Sequence, residues 1–447
     1  ASQLGRGTLG RVQLPDLGSS DFRRTIVERI SAPNNAMVAL TSRTLSLVYA
    51  QAANSFCHLS MLLYPTVVLA LEKQLGMSYG ELLVLMTLGN VLFGVAALPA
   101  GWLGDRWNTV GMMVIYFIGL GAALIFTGLM STPLGLTLGL ALIGLFAAIY
   151  HPVGMSWLLR NTEQAGRTLG VNGVFGSLGV ASAAVIAGVL TDFVGWRAAF
   201  LVPGAIVLAV GFTLAYCVAR GLVVERKADV RPRQHKPSRK AMWRVFIVLS
   251  ITMLGNGLIY QSMSSAMPKI FAERVPDWTG GSATGAGLLV SLVYFGAMAS
   301  QLLGGYFADK VATRSLYIFA SLLQLPIYFA AMLAGGGPLF LLVASSVFLQ
   351  TMAVPTENVL LANYTPDKWR ATAFGAKFVL ALGVGALGVP LVAHIHDATG
   401  GFQWYFVALA ATACVIIAAA LLLPKARSDA ASVPRAQTPA SIPARVG

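Results

Sequence analysis

Long uninterrupted apolar runs dominate this chain and leave it few places to fold. Two examples are VGMMVIYFIGLGAALIFTGLM (residues 110–130) and FVALAATACVIIAAALLL (residues 406–423). Each is about the length that an α-helix needs to cross a bilayer, roughly 20 residues. Of the 447 residues, 56% are hydrophobic and only 11% are charged, whereas an average soluble domain carries about a quarter charged residues. No single soluble core can enclose that much hydrocarbon. A lipid bilayer can receive it.

Twelve spans are predicted, at 44–71, 79–103, 110–130, 134–158, 166–191, 196–218, 243–270, 284–307, 314–334, 338–362, 370–395 and 402–423. All should be helices, because in hydrocarbon each segment must satisfy its own backbone N–H and C=O groups. Lys and Arg set the orientation. With a cytoplasmic N-terminus, 26 of the 31 basic residues fall on that side, and the other side keeps only Lys73, Arg197, Lys269 and Arg274. The positive-inside rule then places both termini in the cytoplasm of a cell (inner) membrane. The net charge of +14 becomes a matter of topology, and nucleic acid is not an expected partner.

Cys57, Cys217 and Cys414 all lie in apolar runs, spaced for neither disulfides nor a metal. They read as buried thiols. Residues 1–43 carry six arginines and no apolar core of the signal-peptide kind, so they read as a cytoplasmic N-terminal segment. Residues 219–242 (ARGLVVERKADVRPRQHKPSRKAM) are basic and proline-bearing and separate six spans from six. They read as a cytoplasmic linker between bundles at 44–218 and 243–424. The tail 425–447 is small, polar and proline-rich, with the composition of disorder.

The halves repeat. Gly101-Trp-Leu-Gly-Asp105-Arg106 follows the second span, and Gly305-Tyr-Phe-Ala-Asp309-Lys310 follows the eighth, 204 residues later. Pro65 and Pro268, Pro152 and Pro355, and Arg167 and Arg370 are each 203 apart, and Asp192 and Asp397 are 205 apart. The expected fold is therefore an all-α membrane protein of twelve transmembrane helices, in two six-helix repeats around a central cavity.

Over residues 44–424 the chain resembles the major facilitator superfamily, and the G-x-x-x-D-R/K loops carry the resemblance. It implies gating roles for Asp105, Arg106, Asp309 and Lys310 at the cytoplasmic ends of the two bundles. A carboxylate favours a helix N-terminus, and an interfacial contact can break by rocking. In the first loop Trp107-Asn108-Thr109 stands where the family carries basic residues. A narrower likeness is to the fosmidomycin-resistance-type efflux branch. It rests on Tyr150-His151-Pro152, on His58 with Tyr64-Pro65, and on Gly166-Arg167-Thr168-Leu169-Gly170. Val153, Ser60 and Met61 depart from that branch's pattern.

Ionisable residues inside a span cost a few kcal/mol to bury and point to function. His58 lies mid-way along the first span, with Asn54 one turn earlier, and Tyr150 and His151 lie in the fourth. The resemblance makes the first and fourth helices cavity-lining, so these four residues are the expected substrate or proton site. The plainer reading is a neutral histidine bridging two helices; two of them in matching helices favour the site. Pro152 should break its helix there, freeing carbonyls near Ala148. Glu357 in the tenth span and Lys377 in the eleventh have matching depths and should pair. A permanent bridge and a functional one both fit that pairing.

The glycine-rich fifth and eleventh spans permit close helix packing. Without a Walker lysine they give no reason to expect a nucleotide, and neither cofactor nor metal is expected. The function these residues favour is secondary active transport by alternating access: proton-coupled export of a small-molecule substrate, by a monomer. Uptake of a small organic anion is the alternative. A non-transporting receptor on this fold would need an added signalling domain, and an enzyme would need a nucleophile or metal cluster at cavity depth. Neither pattern stands out.

Overall fold

The computed structural model describes residues 20–225, 239–311, 313–365 and 370–423. The expected tail and most of the expected linker and first nineteen residues therefore lie outside the described part. Twelve helices are long and apolar enough to cross a membrane. They are α1 (Thr41–Leu75), α2 (Tyr79–Arg106), α3 (Thr109–Leu129), α4 (Pro133–Arg160), α5 (Arg167–Phe193) and α6 (Ala198–Ala219), followed by α7 (Met242–Arg274), α8 (Ala283–Phe307), α9 (Arg314–Leu333), α10 (Gly336–Leu361), α11 (Gly375–Thr399) and α12 (Gln403–Leu421). The helix that opens α1 starts earlier, at Ser20, so part of the 1–43 segment continues the first span as helix.

Polar caps fix the helix starts. Asn108 accepts the N–H of Gly111 at 2.6 Å, and Thr132 accepts that of Gly135 at 3.1 Å ahead of Pro133. Ser78 and Glu81 form a reciprocal capping box at the start of α2, which satisfies two donors otherwise left free at a helix start.

The sequence repeat reappears in the packing. In the first half α2 and α3 both pack on α4, and α3 packs on α6; in the second, α8 and α9 pack on α10, and α9 on α12. The halves then meet through α5 against α8 and through α2 against α11. At the second seam Gly94 and Gly383 bring backbone against backbone, so that a Cβ on Gly94 would collide with Gly383.

Four spans are broken, the first of them α1, which is interrupted at Leu63 ahead of Pro65. Helix α4 stops at Ala147, widens into a π-helical turn over Tyr150–Gly154 and resumes at Met155. Pro152 has no N–H to give, and Val153 takes up the ladder by donating to the Ile149 carbonyl at 3.1 Å. Helix α11 carries a longer π-helical turn, Val379–Val384, and then a 3₁₀ turn, Gly385–Leu387. Turns of this kind widen the ladder and gather at functional sites. Helix α2 is divided near Met86 and Ala96.

Candidate functional site

The two halves enclose a central pocket of about 20 Å³. His58 of α1, Asn90 and Phe93 of α2, and Tyr260, Gln261 and Ser265 of α7 line it. Met61, Leu62, Met86 and Leu382 complete a mainly apolar lining that holds neutral polar groups and, among the described residues, no carboxylate, guanidinium or ammonium. His151, on the π-helical turn of α4, has its ring centroid 5.5 Å from that of His58. It stacks on Phe378 of α11 at 4.7 Å and 21°, which links the halves. Its Nε2 is buried and has no hydrogen-bond partner among the described residues. A wider hollow of about 350 Å³ lies between the starts of α1 and α5, beside Arg43, Gln51, Glu163 and Arg167.

Asn54 and Tyr150 are drawn away from this pocket. The Asn54 side-chain amide donates to the Asn172 carbonyl at 2.6 Å, and Gly176 of α5 packs against it. The Tyr150 hydroxyl donates to the Asn172 side chain at 2.8 Å. Both residues thus tie α1 and α4 to α5 from within the first half. Helical pitch explains the division: neighbours are turned by about 100°, so Tyr150 and His151 cannot both face the centre.

The structure brings Glu357 and Lys377 together. Lys377 Nζ lies 2.8 Å from Glu357 Oε1, with side chains only 11% and 7% exposed, and it also donates to Asn358 at 2.5 Å. The second carboxylate oxygen accepts from the Tyr317 hydroxyl at 3.2 Å and from the Asn256 amide at 3.4 Å. The partners satisfy both ions, as burial requires. Asn256 stands one helical turn before Tyr260, and Phe378 follows Lys377 directly. Neither member of the pair lines the pocket, whose nearest lining residues along these two helices are Tyr260 and Leu382.

The residues expected to gate lie near the ends of α2 and α8. Asp105 reaches Arg160 of its own half at 3.5 Å, with its side chain 76% exposed, and among the described residues it has no ion pair with the second half. Arg160 also binds Glu225 and the Thr109 hydroxyl, each at 2.8 Å. Arg106 lies over the Trp102 ring and Lys310 over the Tyr306 ring, at 4.4 and 4.3 Å, so the same cation–π contact occurs in both loops. The side chain of Asp309 lies outside the described residues.

Sequence reasoning missed Asn90, Tyr260, Gln261 and Ser265 in the pocket, and Asn256 and Tyr317 around the ion pair. A signal existed. Gln261 stands 203 residues after His58, the offset that pairs Pro65 with Pro268, and both line the pocket.

Twelve helices, doubled packing and a pocket between the halves define a carrier-type integral membrane protein. The family model of the Major Facilitator Superfamily matches residues 52–376 and again 249–445. The chain belongs to the Major Facilitator Superfamily, whose members are transporters and not enzymes. A "Probable hexose phosphate transport protein" of Chlamydia trachomatis is 24% identical over 79% of this chain and 84% of its own length. A "Probable actinorhodin transporter" of Streptomyces coelicolor is 31% identical over 33% of this chain and 26% of its own. Among solved structures, a POT family transporter in complex with 5-aminolevulinic acid aligns with TM-score 0.69 at 14% identity, covering 85% of this chain and 94% of that one. An inward-facing, occupied bacterial homolog of the lysosomal transporter Spinster aligns with TM-score 0.65 at 16% identity, covering 86% and 94%. At such identities the structural likeness concerns the fold alone.

Proposed function

We propose that this chain exports a small, largely uncharged amphipathic molecule in exchange for protons, by alternating access. It would act as a monomer in the cell (inner) membrane, with both termini and the 219–242 linker on the cytoplasmic side. The observation that carries the reading is a division of labour: a pocket lined without full charges stands apart from a buried ion pair, Glu357 with Lys377, in the second half. Aromatic and amide groups suit a neutral amphipathic solute. The ion pair suits a proton, since protonating Glu357 removes its hold on Lys377 without touching the pocket. His151 and His58, whose rings lie 5.5 Å apart, are the second candidate proton site. The likeness of Tyr150-His151-Pro152 to the fosmidomycin-resistance-type efflux branch supports export.

Uptake of an organic anion such as a sugar phosphate is the second reading, favoured by the name of the Chlamydia relative. A phosphate monoester brings a charge of about −1.5 to −2 at neutral pH. The neutral lining offers it no cation, and Lys377 is already neutralised by Glu357. Burying an uncompensated charge of that size is costly.

Thermal unfolding of the purified protein with puromycin, ethidium, glucose 6-phosphate and inorganic phosphate separates the two. A ligand that binds the native state raises its apparent stability. Stabilisation by puromycin or ethidium alone, with proton release from reconstituted vesicles on their addition, is the expected result. Stabilisation by glucose 6-phosphate alone overturns the reading in favour of anion uptake.

A further inference from the structure

Asp192 and Asp397, which the repeat relates at an offset of 205 residues, make the same contact in opposite directions. Asp192, in the last turn of α5, accepts the backbone N–H of Thr284 at 2.7 Å, in the first turn of α8. Asp397, in the last turn of α11, accepts the N–H of Gly80 at 3.0 Å and the hydroxyl of Ser78 at 2.6 Å, at the start of α2. The residues that begin those two helices are Ser78 and Ser282, each accepting an N–H of its own first turn. Both contacts cross between halves. Both lie on the membrane side opposite the one where α1 begins.

We infer that Asp192 and Asp397 form a symmetric latch: each carboxylate caps a helix of the other half, and together they hold the side opposite the termini shut. A carboxylate at the C-terminal end of a helix opposes its own helix dipole. In an isolated half, each aspartate is therefore badly placed. Apart from the neighbouring His396 ring, 3.5 Å from Asp397, it gains a partner when the other half presents a helix N-terminus, where free N–H groups and the dipole both favour an anion. The energy of each contact thus exists in one conformation of the pair of halves and vanishes in the other, as a latch requires.

The spacing is built for this contact. A Cβ on Gly80 would collide with the Asp397 carboxylate and the Ala393 carbonyl, so only glycine lets α11 come close enough to cap α2. Lys269 binds both carboxylate oxygens of Glu72 across the same side at 2.8 and 2.7 Å, and it also meets Glu273 at 3.4 Å. Those charges supply a third contact at the α1–α7 seam. Among the described residues no ion pair joins the halves on the side of the termini. There the ion pairs, Arg43–Glu163, Arg160–Asp105 and Arg160–Glu225, stay within the first half and its exit strand.

The test reads geometry, so it is independent of the substrate. Spin labels on Val194 and Trp278, both exposed and on the latched side of opposite halves, report the opening by pulsed dipolar spectroscopy in lipid nanodiscs. Removing a capping side chain costs about 0.5–2 kcal/mol. Each of Asp192→Ala and Asp397→Ala should therefore raise the ratio of long to short distances about fivefold. The double variant should raise it by roughly the product of the two, given independent sites. Asp192→Asn with Asp397→Asn, which keeps an acceptor but removes the charge, should give a smaller shift in the same direction and serves if the alanine variants fail to fold. An unchanged distance distribution in folded, monodisperse double variants of either kind overturns the latch. The inference rests on alternating access; if the variants open while no ligand of the thermal series binds, the latch stands and the substrate reading falls.

Discussion

Lys377 Nζ sits 2.8 Å from Glu357 Oε1 in the interior of the second half, and the carboxylate's other oxygen is held by Tyr317 and Asn256. Breaking a buried pair by removing one partner strands a charge, at about 3–5 kcal/mol. Glu357→Gln and Lys377→Met should each lower the unfolding midpoint strongly. The double substitution should lower it less than either single one, because it leaves no charge behind. Midpoints that add across the cycle count against a coupled pair.

His151 joins the halves by stacking on Phe378 and faces His58 at 5.5 Å. His151→Gln keeps a hydrogen-bonding side chain of similar length and removes titration. We expect normal expression and a stability change of about 1 kcal/mol, with transport that varies less between pH 6 and 8. Measured as ethidium movement in vesicles across that range, an unaltered pH profile would reduce His151 to packing between helices.

At the α2–α11 seam, Gly94 has no space for a side chain against the Gly383 backbone. Gly94→Val overfills the seam, a change that typically costs about 1–3 kcal/mol. Hydrogen exchange should quicken in the π-helical turn Val379–Val384 as α11 is pushed off α2. Wild-type protection in that turn would mean the seam yields elsewhere.

Asp105 and Arg160 separate gating from stability. Their contact is 3.5 Å long, with Asp105 76% exposed, and exposed pairs contribute about 0–1 kcal/mol. Asp105→Asn should leave the unfolding midpoint almost unchanged and still slow transport, if Asp105 meets the second half in the opposite state. Arg160→Ala also loses Glu225 and Thr109, so it should be the more destabilising of the two. Equal midpoint losses would contradict this ordering.

The spans were legible because hydrocarbon imposes one rule on every helix, and apolar length reports it directly. Predicted and observed spans accordingly differ by only a few residues in most cases. The repeat was legible because duplicated residues keep their spacing, as Asp192 and Asp397 do. The site was only half legible. His58 and His151 come together, yet Asn54 and Tyr150 turn to Asn172, since facing depends on helix rotation and on the local widening at Tyr150–Gly154. Asn90 and Gln261 were hidden for a related reason: one amide in an apolar run looks alike whether it glues two helices or lines a pocket. The break in α11 was missed because glycines signal close packing and bending equally.

The size of the central pocket bears on how tightly the carrier is geared. A hollow of about 20 Å³ has room for about one water molecule, so in this arrangement the halves fit together with no solute between them. A machine whose jaws can shut on nothing can also complete its return stroke unloaded. For the proposed exchange of solute for protons, such an unloaded return is a slip and not a working stroke. Under that proposal, a proton that crosses during an unloaded stroke is spent without cargo, and the leak should grow as the closed form gains stability.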